Sequence, residues 1–220
     1  MHLWRVTAIC FIVGLFDLTL RQPLEREGKL LDYGYHAGTK SPSLIRRFLN
    51  FLICVAIVLA AAWGIRTYVC EPFEVPSASM ETTIMTGDRL FAEKVSYHFT
   101  SPKAGDIVVF SDPQVPSRVL VKRVIATEGQ TVNLVNGSVY IDGVKQAEPY
   151  TQGDSYPLSK TAGSADISYP YTVPSGCVWV MGDNRENSSD SRYFGSIPTS
   201  SIFGKAVFEY WPLNRIGTLN

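Results

Sequence analysis

From Cys70 onward the chain alternates apolar and polar residues in short runs divided by turn formers: DIVVF at 106–110, VLVKRVI at 119–125, CVWVM at 177–181 and KAVFEYW at 205–211. β-Branched and aromatic residues at a two-residue period predict strands, and no long amphipathic helical pattern competes with them. The sharpest local pattern is TVNLVNGSVYIDG at 131–143, where Asn136 and Gly137 supply the positive φ angles of a type I′ turn and predict a hairpin. Residues 144–172 are rich in Gly, Ser, Tyr and Pro and poor in aliphatics, so they are expected to form a peripheral insertion of variable shape. No solenoid or propeller period recurs, and the expected fold class is one all-β domain of antiparallel sheets over 71–220.

Upstream the pattern is different. From Phe48 to Ile65 the only strongly polar residue is Asn50 and there is no charge. At about 1.5 Å per residue that run spans roughly 27 Å, near the thickness of a bilayer's hydrocarbon, and it predicts a transmembrane helix over 48–70. Arg46 and Arg47 before it, and Arg66 and Tyr68 after it, are the flanks of a spanning segment rather than of a buried core helix. Arg21, Arg26, Lys29, Lys40, Arg46 and Arg47 lie on its amino-terminal side, so the bias of basic residues toward the cytoplasm places 71–220 on the extracytoplasmic face of a plasma or inner membrane. Val6 to Phe16 is apolar for only eleven residues, which fits a signal-like region or a short first span. One or two amino-terminal helices are therefore expected, with residues 1–47 otherwise a basic cytoplasmic segment.

Composition narrows the function. Across 220 residues, 45% are apolar and 18% charged, which excludes a disordered chain. The formal charge of zero is split: residues 1–70 carry 8 basic and 4 acidic side chains, residues 71–220 carry 12 and 16. An acidic larger portion offers no footprint for nucleic acid. Cys10, Cys54, Cys70 and Cys177 lack CxxC spacing, so neither a disulfide scaffold nor a metal site is expected, and no cofactor is implied. His2, His36 and His98 are scattered, and a general base has to come from another residue type.

Three segments mix small polar residues with charges or structure breakers: 71–88, 119–129 and 181–195. Taken alone, Pro76-Ser77-Ala78-Ser79 is compatible with a simple turn. Lys122 has apolar neighbours two residues away on each side, Leu120 and Val124, so an inward orientation would desolvate its ammonium and lower its pKa. A depression of about two units costs roughly 3 kcal/mol and brings an amine toward the range of a general base. The pattern does not separate Lys122 from Arg123, and a lysine whose stem crosses the strand toward solvent is the ordinary outcome. The cluster Asp183, Arg185, Glu186, Asp190 and Arg192 by itself reads as a solvated loop of weak ion pairs.

Taken in order, EPFEVPSASM, GDRLFAEKVSY, KAGDIVVF, VKRVIATEG and GDNRENSSDSRYFG resemble the type I signal peptidase family, over nearly everything from Glu71 to Tyr210. The resemblance implies a membrane-tethered β domain in which Ser79 is the nucleophile and Lys122 the general base. It implies an oxyanion hole from the Ser77 hydroxyl and the Ser79 N–H, a Ser188 that orients the lysine, and a supporting ion pair of Asp190 with Arg192. Phe73, Val75, Pro76, Ile84, Leu120 and Val121 would bind substrate, in pockets for small side chains one and three residues before the cut. The implied partners are secretory preproteins and membrane lipid. The chain departs from the family pattern at Thr82-Thr83-Ile84, where Pro-Thr-Leu is usual, and at Glu128, Gln130 and Phe194; loss of the proline is expected to loosen the turn behind Ser79. Two other readings compete: an inactive membrane-anchored binding module, and a different Ser/Lys protease such as the self-cleaving SOS-response repressors, whose DNA-binding module has no counterpart here.

Overall fold

The computed structural model describes residues 43–159 and 164–219. Helix α1 (Leu44–Tyr68) covers 25 residues, is long and apolar enough to cross a membrane, and has no residue buried against the rest of the chain. A run of this length and composition is what crossing a bilayer's hydrocarbon requires. The apolar stretch 6–16 and the basic residues up to Lys40 lie outside the described residues.

Twelve strands follow: β1 (Cys70–Glu74), β2 (Arg89–Glu93), β3 (Ile107–Ser111), β4 (Val119–Thr127), β5 (Thr131–Val135), β6 (Ser138–Ile141), β7 (Val144–Lys145), β8 (Tyr171–Thr172), β9 (Cys177–Met181), β10 (Ile197–Pro198), β11 (Ile202–Trp211) and β12 (Gly217–Thr218). The larger sheet has the order β1-β2-β11-β3-β4-β9-β10, with β12 on β11; the smaller has the order β7-β6-β5-β8. All ladders are antiparallel. Each of the four short apolar runs named after Cys70 lies in a strand, and the 131–143 hairpin closes with Val135 opposite Ser138, with φ of 49° at Asn136 and 74° at Gly137. Those angles are the ones a two-residue turn needs to follow the strand twist.

β4 is central. Val121 joins a cluster with Val75, Met80, Ile84, Leu90, Ile107 and Val109, whereas Val124 joins Val108, Phe110, Val178, Val180 and Ile197. Successive side chains of a strand point to opposite faces, so a strand covered on both faces buries every residue from Val121 to Ala126. A third cluster, with Trp179 and Met181 against Val132, Leu134, Val139 and Ile141, fastens the smaller sheet to the larger one.

The insertion at 144–172 differs from the expectation. Part of it is not peripheral: the Gln152 N–H donates to the Asp183 carbonyl at 2.8 Å and the Gln152 carbonyl accepts from the Arg185 N–H at 2.8 Å, a short parallel bridge into the 181–195 loop. The reason is electrostatic. Arg185 is 1% exposed and needs buried acceptors, and Glu148 supplies both carboxylate oxygens at 3.0 and 2.6 Å, while Ser155 adds a third contact.

Candidate active site

The Val75-to-Ile84 segment turns sharply because the core takes its apolar residues from both ends. Val75, Met80 and Ile84 are 2%, 0% and 0% exposed, and between them Ala78–Met80 form one 3₁₀ turn. Thr83 and Ile84 N–H groups close on the Met80 carbonyl at 3.0 and 2.8 Å. Ser79 thus sits at the rim of the packed cluster, 7% exposed, with its hydroxyl facing β4.

Lys122 points inward and is 1% exposed. Its Nζ lies 2.5 Å from Ser79 Oγ and donates to the Val121 carbonyl at 3.1 Å. Burial is the main influence on the amine and lowers it from 10.5 to about 8; Arg118 acts in the same sense, and Asp190, Asp183 and Asp112 oppose it. Ser77 Oγ lies 3.3 Å from Ser79 Oγ. The three side chains meet, Lys122 reaching Ser79 across 43 residues of sequence.

Arg123 turns to the other face. Its Nε and one terminal nitrogen hold Asp183 at 2.9 and 2.8 Å in a fully buried bidentate pair, and Asp183 also accepts from Thr83 Oγ1 at 2.5 Å. The next residue, Asn184, donates its backbone N–H to the Ser79 carbonyl at 3.1 Å and its side-chain amide to the Ala78 carbonyl at 3.1 Å. The 181–195 loop, far from being a solvated run of weak pairs, is the cradle of the serine turn. The sequence pattern left Arg123 unseparated from Lys122, read Asp183 as one of a solvated cluster and gave Asn184 no role; the signal for all three was weak, a polar run directly after the strand CVWVM.

Asp190 and Arg192 form a buried pair at 2.9 Å, and Asp190 also accepts the Gly182 N–H at 3.0 Å. Burial pushes the Asp190 carboxyl up, but the Arg192 charge, its hydrogen bond and the Gly182 N–H outweigh it and hold the group below the ordinary range. The pair caps the single helical turn α2 (Ser191–Phe194) and touches neither Ser79 nor Lys122 through a hydrogen bond. Ser188 differs from expectation: its enclosed hydroxyl makes no hydrogen bond of good geometry, its nearness to Asp190 is a minor influence on that carboxylate, and the Lys122 bonds go to Ser79 and Val121 instead. Ser188 lies close to Gly182, where an added Cβ would lie 2.3 Å from Ser188 Oγ and 2.4 Å from the Ser79 carbonyl oxygen. Gly182→Ala must therefore displace Ser188 and the backbone at Ser79.

Of the expected pocket residues, Phe73, Val75, Ile84 and Val121 meet in one cluster around Met80. Leu120 does not join them: strand alternation sends it to the opposite face, beside Val108 and Phe110. Pro76 is exposed at the entrance to the serine turn. Beyond Phe73 and Val119 an open groove of about 580 Å³ continues past Tyr97, Ile202 and Phe203 to Glu71 and Lys94, beside the start of β1. The remaining departures have local partners. Glu128 accepts from Gly176 N–H at 2.6 Å, Gln130 from Thr127 N–H at 2.8 Å, and the Phe194 ring meets Phe110 edge to face at 6.3 Å.

An enclosed hydroxyl in contact with an enclosed amine of depressed pKa can perform acyl transfer without histidine or metal-bound water, which is the chemistry of the serine hydrolases. Residues 47–211 match the family model described as signal peptidase, peptidase S26. A probable signal peptidase I-1 from Synechocystis sp. (strain ATCC 27184 / PCC 6803 / Kazusa) is 43% identical over 76% of this chain and 84% of its own length. A signal peptidase I from Leptolyngbya laminosa is 40% identical over 75% of this chain and 80% of its own. The crystal structure of a signal peptidase I from Enterococcus faecalis V583 aligns at 32% identity and a TM-score of 0.40, covering 48% of this chain and 97% of that one. The chain belongs to the signal peptidase family, S26, a family of serine endopeptidases.

Proposed function

We propose that this protein removes signal peptides from secretory preproteins by a Ser79–Lys122 dyad, and the 2.5 Å contact between Lys122 Nζ and Ser79 Oγ is the observation that carries the reading. Neutral Lys122 takes the Ser79 proton as the oxygen attacks the scissile carbonyl. The resulting oxyanion is held by the Ser77 hydroxyl and the Ser79 N–H. The ammonium returns the proton to the leaving amine, and water, activated by the same amine, releases the acyl group from Ser79. Asp190 with Arg192, and Ser188 behind Gly182, shape the site without touching the reacting atoms.

The substrate path follows from the strands. β4 pairs with β9 only from Arg123 onward, so its Val119–Lys122 stretch keeps open the edge that β9 covers further along, and an extended chain can pair there. Phe73, Val75, Ile84 and Val121 then admit only small side chains one and three residues before the cut, because the cluster leaves little depth. The apolar part of the substrate leads back along the Phe73–Phe203 groove toward α1. Residues 48–70 span the membrane, residues 1–47 lie on the cytoplasmic side apart from any first span, and residues 71–220 act on the extracytoplasmic face. Only nine residues separate Cys70 from Ser79, which keeps the dyad within roughly 30 Å of the lipid.

The test uses the full-length protein in detergent with two precursors that differ only in having alanine, or a bulky residue such as leucine, at both positions. The expected result is one cut, defined by sequencing the new amino terminus, with the bulky precursor at least 100-fold slower. Equal rates, or no cleavage of either precursor, would overturn the reading and leave a binding module.

A further inference from the structure

The segment Glu148–Ser155 belongs to a part of the sequence that reads as a decoration, yet it contacts both halves of the cradle that holds Ser79. Tyr150 makes the two decisive contacts. Its carbonyl accepts from Thr82 Oγ1 at 2.7 Å, and its ring lies 4.1 Å from the Arg123 guanidinium carbon. Thr82 belongs to the turn that follows the nucleophile, and Arg123 holds Asp183, whose neighbour Asn184 grips the Ser79 and Ala78 carbonyls. A single residue therefore bridges the serine turn and the loop packed against it.

The turn has a reason to need such a contact. Thr82 has φ of 24°, a left-handed conformation that a β-branched residue adopts only under strain. Thr82 is exposed, so packing does not hold it there; the bond from its hydroxyl to the Tyr150 carbonyl does. Tyr150 is itself held on several sides. Its phenol donates to Glu148 at 3.2 Å, Glu148 is paired with Arg185, and Gln152 is bridged to Asn184. The face of a tyrosine ring also attracts a guanidinium, and this one lies over a buried ion pair where solvent competes little.

We propose that residues 148–155 are a brace that sets the position of Ser79 against Lys122, with Tyr150 and Thr82 as its positioning residues. This rests on the dyad reading for its effect on turnover but not for its effect on the turn itself. Each contact has its own variant: Tyr150→Ala removes the ring over Arg123 and leaves the backbone carbonyl, Thr82→Val removes the hydroxyl that bonds that carbonyl, and Tyr150→Phe and Thr82→Ser keep the ring and the hydroxyl. Tyr150→Ala and Thr82→Val are expected to lower kcat by about 10- to 100-fold with KM within threefold. They should also raise amide hydrogen exchange at Thr83 and Ile84, the two N–H groups closed on Met80, at least tenfold while the 131–141 hairpin stays protected. Tyr150→Phe and Thr82→Ser should restore both readouts to near the parent.

Unchanged kcat and unchanged exchange in Tyr150→Ala and Thr82→Val would overturn the brace. So would a uniform rise of exchange over the whole domain with the kcat of the folded fraction intact, since that marks a merely structural role. Should Ser79→Ala retain full cleavage, the dyad reading fails by itself, and the exchange measurement still decides whether Tyr150 holds the turn.

Discussion

Ser79→Ala and Lys122→Met are each expected to lower kcat by about four to six orders of magnitude, and the double variant to lose little more than either alone, because nucleophile and base act as one unit. Methionine suits the test at position 122, since it keeps the length and apolar character of the stem and removes only the amine. Neither substitution touches the apolar cluster of Phe73, Val75, Ile84 and Val121, so KM, or the affinity for an uncleaved precursor, should stay close to the parent. The parent's kcat/KM should rise with pH through about 8, the value to which burial brings the Lys122 amine, because only the neutral amine accepts the Ser79 proton. Additive losses in the double variant would place the two groups in separate steps, and a flat profile between pH 6 and 10 would deny Lys122 the role of base.

The second large effect is on stability and runs opposite to the first. Lys122 falls from 10.5 to about 8 on folding, so at neutral pH the folded protein carries a buried ammonium at a cost of about 3 kcal/mol. The sign follows from proton counting. Between pH 8 and 10.5 the unfolded chain binds the proton that the folded protein has released, so stability rises with pH across that window. Below it both states are protonated and the cost is fully present. Lys122→Met removes the cost, and its thermal midpoint in detergent should exceed the parent's by roughly 5–10 °C at pH 7, with the gap closing toward pH 10.5. A midpoint below the parent's at pH 7 would mean that the Ser79 and Val121 hydrogen bonds outweigh the desolvation. An inactive protein that is also more stable is the signature of an amine held where water would otherwise keep it charged.

The strands, the 131–143 hairpin and the apolar helix were legible because each rests on a local period or a local turn, and local pattern is what a chain displays along its length. Lys122 was legible in part: Leu120 and Val124 announced an apolar face. Arg123 defeated the same argument because β4 is covered on both faces, so neighbouring cations that point in opposite directions are both buried. The resemblance named Ser79, Ser77, Asp190 and Arg192 and led to the expectation that Ser188 bonds to the lysine, whose hydrogen bonds go to Ser79 and Val121.

Charge was misread wherever its partner lay far along the chain. Asp183 meets Arg123 across 60 residues and Arg185 meets Glu148 across 37, separations at which no spacing rule operates. Without those partners the 181–195 loop looks solvated and the 144–172 insertion looks dispensable. Thr82 is the clearest case: as a letter replacing proline it reads as a loosened turn, whereas in the fold its hydroxyl finds the Tyr150 carbonyl and the turn is tied instead. Periodicity and turn chemistry act between near neighbours and are written into the chain order. Which buried charge meets which, and which loop steadies the serine, depend on distances that exist only once the sheets have closed.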